Sequence, residues 1–424
     1  MTRRPLQENM EPHNPSVIVV GGGPAGIMAA IRAAQLGASV ALLEKNTGLG
    51  RKLLLTGKGR CNLTNAADLD VFLLSYGAHG AFLRDVFKKF FNAELMQFFE
   101  VRGVAVKVER QKRVFPVSDR SGSILEALKK ELKVLHVKVL SRTEVRDVLV
   151  EQSAAAGVIL TTGQQMKSGR VILATGGKSY PLTGSTGEGA RMAARCGHRI
   201  TPLRPALVGL EMRQTFPGDL RGLTLKNVRL CFSNGKNHVV SEIGELLFTD
   251  FGISGPLVLT HSGRVVDWVN ASSPVTVSLD LKPSLTADTL SHRFLNNVRE
   301  SRHQKLKNAL KDYLPARFVD VFLRQAGVSP DKALYQVSPA EQKALLRLFK
   351  DFKMDIKGSR SFMEAMVTQG GVDLRDINPR TMESRLIRGL FFAGELIDID
   401  GTTGGFNLQA AFSTGYMAGE KAAV

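Results

Sequence analysis

Three glycines and an acid near the N-terminus have the spacing that holds a dinucleotide. Gly21, Gly23 and Gly26 make a G-x-G-x-x-G run between the apolar stretch Val17–Val20 and a helical pattern opening at Pro24 and Ala25. The first glycine permits a tight turn, the second lets a pyrophosphate approach the backbone, and the third lets helix and strand pack closely. The helix N-terminus then offers unpaired N–H groups and a positive dipole end to the phosphates. Glu44, after the strand pattern Ser39–Leu43, is placed to accept hydrogen bonds from both hydroxyls of a ribose.

Two later segments narrow the dinucleotide to FAD. Ala174-Thr-Gly-Gly177 closes the short apolar strand Arg170–Leu173, and Gly389-Leu-Phe-Phe-Ala-Gly-Glu395 ends a second buried-type strand. Fingerprint, Ala-Thr-Gly-Gly and Phe-Ala-Gly-Glu in that order resemble the FAD folds of the glutathione-reductase type and not a nicotinamide dehydrogenase. In that arrangement Glu395 takes a ribityl hydroxyl and Gly394 lets the backbone come close. The helix beginning near Gly405, Phe406 and Asn407 points its N–H groups at the N1/C2 edge of the flavin. That edge becomes anionic on reduction, so donors and a positive dipole end there favour the reduced form. The other expected FAD contacts are Lys45, Arg51, Lys52, Gly59, Arg60, Cys61, Asn62, Val145, Ala174, Thr175, Gly176, Asp400 and Leu408.

The elements that must position these residues follow from periodicity. Helical spacing recurs over Ala81–Lys89, Asn92–Val101 and Ser123–Leu132. Val134–Leu140 alternates as a strand, and Thr143–Val150 and Val158–Thr161 read as a strand pair joined by an alanine-rich turn. Short alternating strands from Thr201 to Pro283 suggest a small β domain, in which Ser254 caps a helix with Pro256 near its first position. The stretch Leu285–Lys357 reads as helical and basic. Arg293, Arg299, Arg302, Lys305, Lys307 and Lys311 lie close together, followed by Lys343, Arg347, Lys350, Lys353 and Lys357. The fold class is therefore α/β: a Rossmann-like FAD domain with an inserted small β domain and a helical subdomain. The expected boundaries are a tail at 1–15, an FAD domain at 16–200 and 365–424, a β domain at 201–284 and a helical subdomain at 285–364.

Several longer motifs identify a family resemblance. The run from Gly176 to Gly189 resembles the fumarate-reductase-type flavoproteins. The chain is more closely similar to the BaiN/RdsA-type flavoproteins, variously described as aminoacetone oxidases, dehydro-bile-acid reductases and ribosomal RNA dihydrouridine synthases. That similarity rests on Gly50-Arg-Lys-Leu, Gly57-Lys-Gly-Arg-Cys-Asn-Leu-Thr-Asn65, Arg113-Val-Phe-Pro-Val-Ser-Asp119 and Gly176-Gly-Lys-Ser-Tyr-Pro181. It continues through Gly244–Pro256, Gly370-Gly-Val, Met382-Glu-Ser and Gly394–Asp398. One departure is Lys58, where the family often carries glycine.

The resemblance implies that NAD(P)H reduces FAD, whose N5 passes hydride to an activated C=C bond. It places Cys61 near the flavin ring beside Arg60 and Lys58. Those cations would lower the thiol pKa and suit Cys61 to proton donation, the alternative being a small packed cysteine. Arg113 is either a substrate anchor or a structural ion-pair partner, and His198 reads as a helix C-terminal dipole partner rather than a catalyst. No Ser/His/Asp signature and no metal-ligand cluster stands out.

A net charge of +18 points to a polyanionic partner, and the basic helices read either as an RNA-facing surface or as a solvated face. The leading expectation is uridine in 23S rRNA reduced to dihydrouridine. The alternatives are a small-metabolite reductase or oxidase and a non-catalytic flavin-containing RNA-binding factor. Three scattered cysteines and the lack of a signal-like or membrane-spanning run lead to a cytoplasmic expectation, with no obligate protein partner.

Overall fold

In the computed structural model, which describes residues 14–214 and 220–424, the fingerprint lies between β1 (Val17–Val20) and α1 (Pro24–Gln35), and β2 (Val40–Glu44) follows. A five-stranded sheet runs in the order Leu390–Phe392, Val171–Leu173, β1, β2, Lys138–Ser141. Every pairing in it is parallel. β1 is Val-Ile-Val-Val with each side chain buried, as expected of a parallel sheet covered on both faces. The C-terminal helix (Phe406–Ala422) packs on α1 through two glycines. A Cβ on Gly415 would strike the Ala25 carbonyl, and one on Gly419 that of Ala29, so the backbones touch.

The chain divides into two compact units. The first, up to Leu203 and again from Val367, holds the parallel sheet and a three-stranded antiparallel meander, Val145–Glu151, Ala154–Leu160 and Gln165–Lys167. The second, Arg204–Met366, is built on antiparallel strands that close on themselves. Thr224–Ser233 pairs with Gly244–Phe248, which leads through Gly252–Ser254, Leu210–Met212, Phe352–Ser359 and Val275–Asp280 back to Thr224–Ser233. Closure removes the exposed sheet edges that invite aggregation. Its core is shared by barrel residues such as Leu230 and Val277 and helix residues such as Phe318, Phe322 and Phe349.

Four local expectations are corrected. Val134 ends the helix Ser121–Val134 and starts no strand, because Ile124, Leu125, Leu128 and Leu132 carry the helical stripe through to that end. The alanines Ala154–Ala156 belong to a strand, and the turn before them is made by Gln152 and Ser153, both with positive φ. The basic stretch stops being helical at Lys350. Phe352, Met354 and Ile356 alternate inward as a barrel strand, a period-two signal overlaid by a dense run of lysines. Gly255, not Ser254, is the N-cap of the helix Pro256–Asn270, since Ser254 is engaged in the barrel. Residues 1–13 of the expected tail lie outside the described residues. No described helix is long and apolar enough to cross a membrane, and no described cluster of His, Cys, Asp or Glu suits a metal.

Candidate active site

The fingerprint glycines differ in the space around them. Gly21 turns at φ 108°, and a Cβ there would meet the Ala174 carbonyl. A Cβ on Gly26 would run into the Gly21 carbonyl, whereas one on Gly23 would find nothing within 4 Å. Open space at the second glycine, in front of an α1 N-terminus that no side chain caps, fits a pyrophosphate. Pro24 opens that helix and Ala25 is buried in its first turn.

Glu44 is buried and already bonded internally. Its Oε2 accepts from the Gly22 N–H at 2.8 Å, and its Oε1 accepts from the Asn46 N–H and Nδ2 at 2.8 and 2.7 Å. A carboxylate has about four acceptor sites, so room for a ribose hydroxyl remains while the turn is held. Lys45 donates to Thr186 and Glu188, and Arg51 to Asn46 Oδ1. Val145 is buried and pairs with Leu160. The Thr143 N–H, just before it, donates to the Glu44 carbonyl.

A second polar knot surrounds Glu395. Lys52 Nζ lies 2.5 Å from Glu395 Oε2 and 2.6 Å from Ser179 Oγ. Glu395 Oε1 accepts from the Thr368 N–H at 2.6 Å and from Ser179 Oγ at 3.0 Å. Gly176 lies beside Ser185 and Glu395, and the Gly394 N–H donates to Thr414 Oγ1. Thr175 Oγ1 is buried without a hydrogen-bond partner and packs closely against Gly189.

The loop after Arg51 wraps the start of the C-terminal helix. Asn62, with its amide oriented to satisfy both ends, accepts from the Gly405 N–H at 3.0 Å and donates to the Thr64 and Val114 carbonyls. Asn65 Nδ2 donates to the Gly404 and Gln111 carbonyls, and its Oδ1 accepts from the Ala67 N–H. Thr64 Oγ1 donates to Gln409 Oε1 at 2.5 Å. Gly405 sits at φ 102° against the Thr64 carbonyl, where a Cβ has no room. Asn407 grips the Gly401 N–H and carbonyl, next to the half-buried Asp400. Tyr76 Oη donates to the carbonyl of Phe406, and Leu408 is half-buried in the first turn. The helix has no side-chain cap. It runs parallel to α1, with Gly415 against Ala25 and Gly419 against Ala29. At 1.5 Å per residue its N-terminus stands about 12 Å beyond that of α1.

The expected catalytic residues fare differently. Cys61 is fully buried, and burial pushes its thiol up to about 12, partly opposed by a hydrogen bond with Thr56. The expected lowering by cations is overturned because Arg60 is engaged elsewhere. Arg60 pairs with Glu109 and Asp119, and its guanidinium lies 4.1 Å from the Phe115 ring centroid. Gly59, just before it, is half-buried in the turn Thr56–Gly59. Arg113 is half-buried and donates to the Arg110 carbonyl, with no carboxylate partner among the described residues. His198 is bonded to the Ala193 carbonyl at the helix end and to Ser384, but burial lowers its pKa, so it is a neutral partner.

Ser179, Thr368, Thr64, Asn65 and Gln409 were not singled out by sequence as site residues. All but Gln409 lie in or beside the motifs quoted above. Their signal was a small polar residue flanking a glycine pair or a cysteine, which spacing alone does not rank.

A family model described as HI0933-like protein Rossmann domain matches residues 15–421. The chain belongs to that family. HI0933-like relatives include the 3-dehydro-bile acid delta(4,6)-reductase of Clostridium scindens, 34% identical over 96% of this chain and 98% of the relative. The ribosomal RNA dihydrouridine synthase of Escherichia coli is 31% identical over 95% and 96%. That of Haemophilus influenzae is 31% identical over 94% and 96%. Among solved structures, 3-ketosteroid delta1-dehydrogenase from Sterolibacterium denitrificans superposes with a TM-score of 0.54 at 13% identity, covering 96% of this chain and 99% of that one, a likeness of fold. This HI0933-like chain is an FAD-dependent oxidoreductase with a Rossmann-type FAD-binding fold.

Proposed function

We propose that this flavoenzyme reduces uridine in 23S ribosomal RNA to dihydrouridine, with NADH or NADPH as electron source. The observation that carries the reading is charge. Arg293, Arg299, Arg302, Lys343, Arg347 and Lys357 are exposed, and none has an ion-pair partner among the described residues, in a chain of net charge +18. Phosphate neutralisation dominates nucleic-acid affinity, and a small apolar substrate needs no such surplus. The dihydrouridine synthases of Escherichia coli and Haemophilus influenzae, similar over nearly their whole length, support the same substrate.

Bound FAD would supply a hydride to one carbon of the C5–C6 bond, and a proton from water would complete the reduction at the other. The protein's part is placement. The α1 N-terminus would hold the pyrophosphate, Glu44 the ribose, and the Lys52–Glu395–Ser179 knot the ribityl chain. The Asn62–Asn65 clasp fixes the start of the C-terminal helix, whose uncapped N–H groups would favour a flavin that gains negative charge on reduction. Cys61, buried and protonated, is a packing residue in this reading. Arg113, half-buried and without a carboxylate partner among the described residues, is the anchor for a substrate carbonyl or phosphate. A base in folded RNA must be splayed out to reach such a site.

The deciding experiment is nucleoside mass spectrometry of 23S rRNA from cells with and without the gene. Loss of dihydrouridine, restored by the intact gene but not by a Glu44→Ala/Glu395→Ala double variant, is the expected result. Unchanged dihydrouridine in a strain that normally contains it overturns the substrate. A second reading, reduction of a steroid-like enone, is favoured by the 34% identity to the bile-acid reductase and would then take its place.

A further inference from the structure

We propose that Arg302, His303 and Tyr335 form a platform on which an unpaired RNA base stacks. The inference rests on the RNA reading above and gives it a docking point. Tyr335 is 52% exposed, and among the described Phe, Tyr and Trp residues it is the one exposed ring. It lies in a stretch, residues 285–357, that carries more basic than acidic side chains. The Arg302 guanidinium sits over its ring, 5.7 Å from the centroid, and the His303 ring approaches edge-on at 5.5 Å.

The platform is held rigidly from below. Leu306 and Leu334 are fully buried and anchor the two segments that carry it. Four backbone bonds join those segments: Leu306 N–H to the Lys332 carbonyl, Lys307 to Pro330, Leu334 to Gln304 and Tyr335 to Arg302. Side chains that point outward from so fixed a backbone are pre-organised, which lowers the entropic cost of binding.

The surroundings choose the partner. Arg299 and Arg302 are exposed with no carboxylate partner among the described residues, and Lys305 and Lys307 share the single carboxylate of Asp331. An exposed aromatic ring beneath an arginine that has no carboxylate partner among the described residues, with more basic side chains on the same segment, is the pairing that single-stranded nucleic acid meets, its bases on the ring and its phosphates on the cations. Duplex RNA keeps its bases stacked internally and offers no free face to Tyr335. An apolar or acidic protein segment would leave the ring face, the two arginines or both without a matching group.

The test uses the FAD-loaded enzyme and a short fluorescein-labelled oligouridylate, with a duplex of equal length as comparator, read by anisotropy. Tyr335→Ala is expected to weaken single-strand binding on the order of tenfold, with duplex binding little changed. Tyr335→Trp is expected to bind at least as tightly as the parent, which separates stacking from damage to the fold. Equal binding by parent and Tyr335→Ala overturns the platform, and so does a Trp variant no better than Ala. The nucleoside measurement fails independently. Dihydrouridine lost on deletion with Tyr335-independent binding sinks the platform alone. Tyr335-dependent binding with dihydrouridine unchanged sinks the substrate alone.

Discussion

At the scale of single residues, Gly23 and Gly26 make opposite predictions although one helical turn separates them. A methyl at Gly26 collides with the Gly21 carbonyl, so Gly26→Ala should cost FAD-free protein about 1–3 kcal/mol in urea unfolding. A methyl at Gly23 enters open space, so Gly23→Ala should cost the fold at most about 1 kcal/mol, as for alanine at an N-cap, yet weaken FAD in a fluorescence titration. Equal effects of the two on unfolding would contradict the assigned roles. Cys61 supplies a pH test. Its folded pKa, near 12, lies above the ordinary thiol value of about 8.5, so between the two the folded state holds a proton that the unfolded state has lost. That contribution to stability is complete below about pH 8.5 and declines as pH rises, by about 1.4 kcal/mol per unit. Thermal midpoints followed into alkali should fall more steeply for the parent than for Cys61→Ala. The sequence showed Cys61 beside two cations but not that Arg60 turns away to Glu109 and Asp119.

At the scale of elements, the C-terminal helix depends on partners brought from far along the chain. Asn65, 4% exposed, serves the Gly404 and Gln111 carbonyls and the Ala67 N–H. Asn65→Ala takes the partner from the buried Ala67 N–H and the half-buried Gly404 carbonyl, and a buried orphan costs about 1–3 kcal/mol. We expect a lower urea midpoint and weaker FAD binding together, because the loop and the helix N-terminus loosen as one. Gly415→Val would drive a side chain into the Ala25 carbonyl and part the two helices, with loss of FAD as the readout. Unaltered FAD affinity in either variant would show that helix placement does not govern the cofactor. The Gly-Arg-Cys-Asn-Leu-Thr-Asn run was visible in sequence as a motif. Its use as a clasp was not, because Asn62 and Gly405 are hundreds of residues apart and no local pattern links them.

At the scale of the whole molecule, the surplus of cations separates the two substrate readings by salt. RNA affinity should fall about tenfold or more as salt rises from about 50 to about 200 mM, since even a few neutralised phosphates release that many counterions. Turnover of a neutral enone should change little over the same range. A shallow RNA profile would count against an rRNA substrate. The same surplus hid a structural feature: lysines at 350, 353 and 357 made Phe352–Ser359 look like more charged helix, although its alternate residues are barrel core.

The sequence by itself determined the cofactor class, the family, and the order of the parts that make the FAD fold. Each of those rests on residues adjacent or regularly spaced along the chain, where backbone geometry translates spacing directly into structure. Tertiary structure alone decided which charges are spent and which are spare, that the inserted strands close on themselves, and that Cys61 is sealed from solvent. Those properties depend on residues meeting across long separations, and burial sets their chemistry more strongly than residue type does.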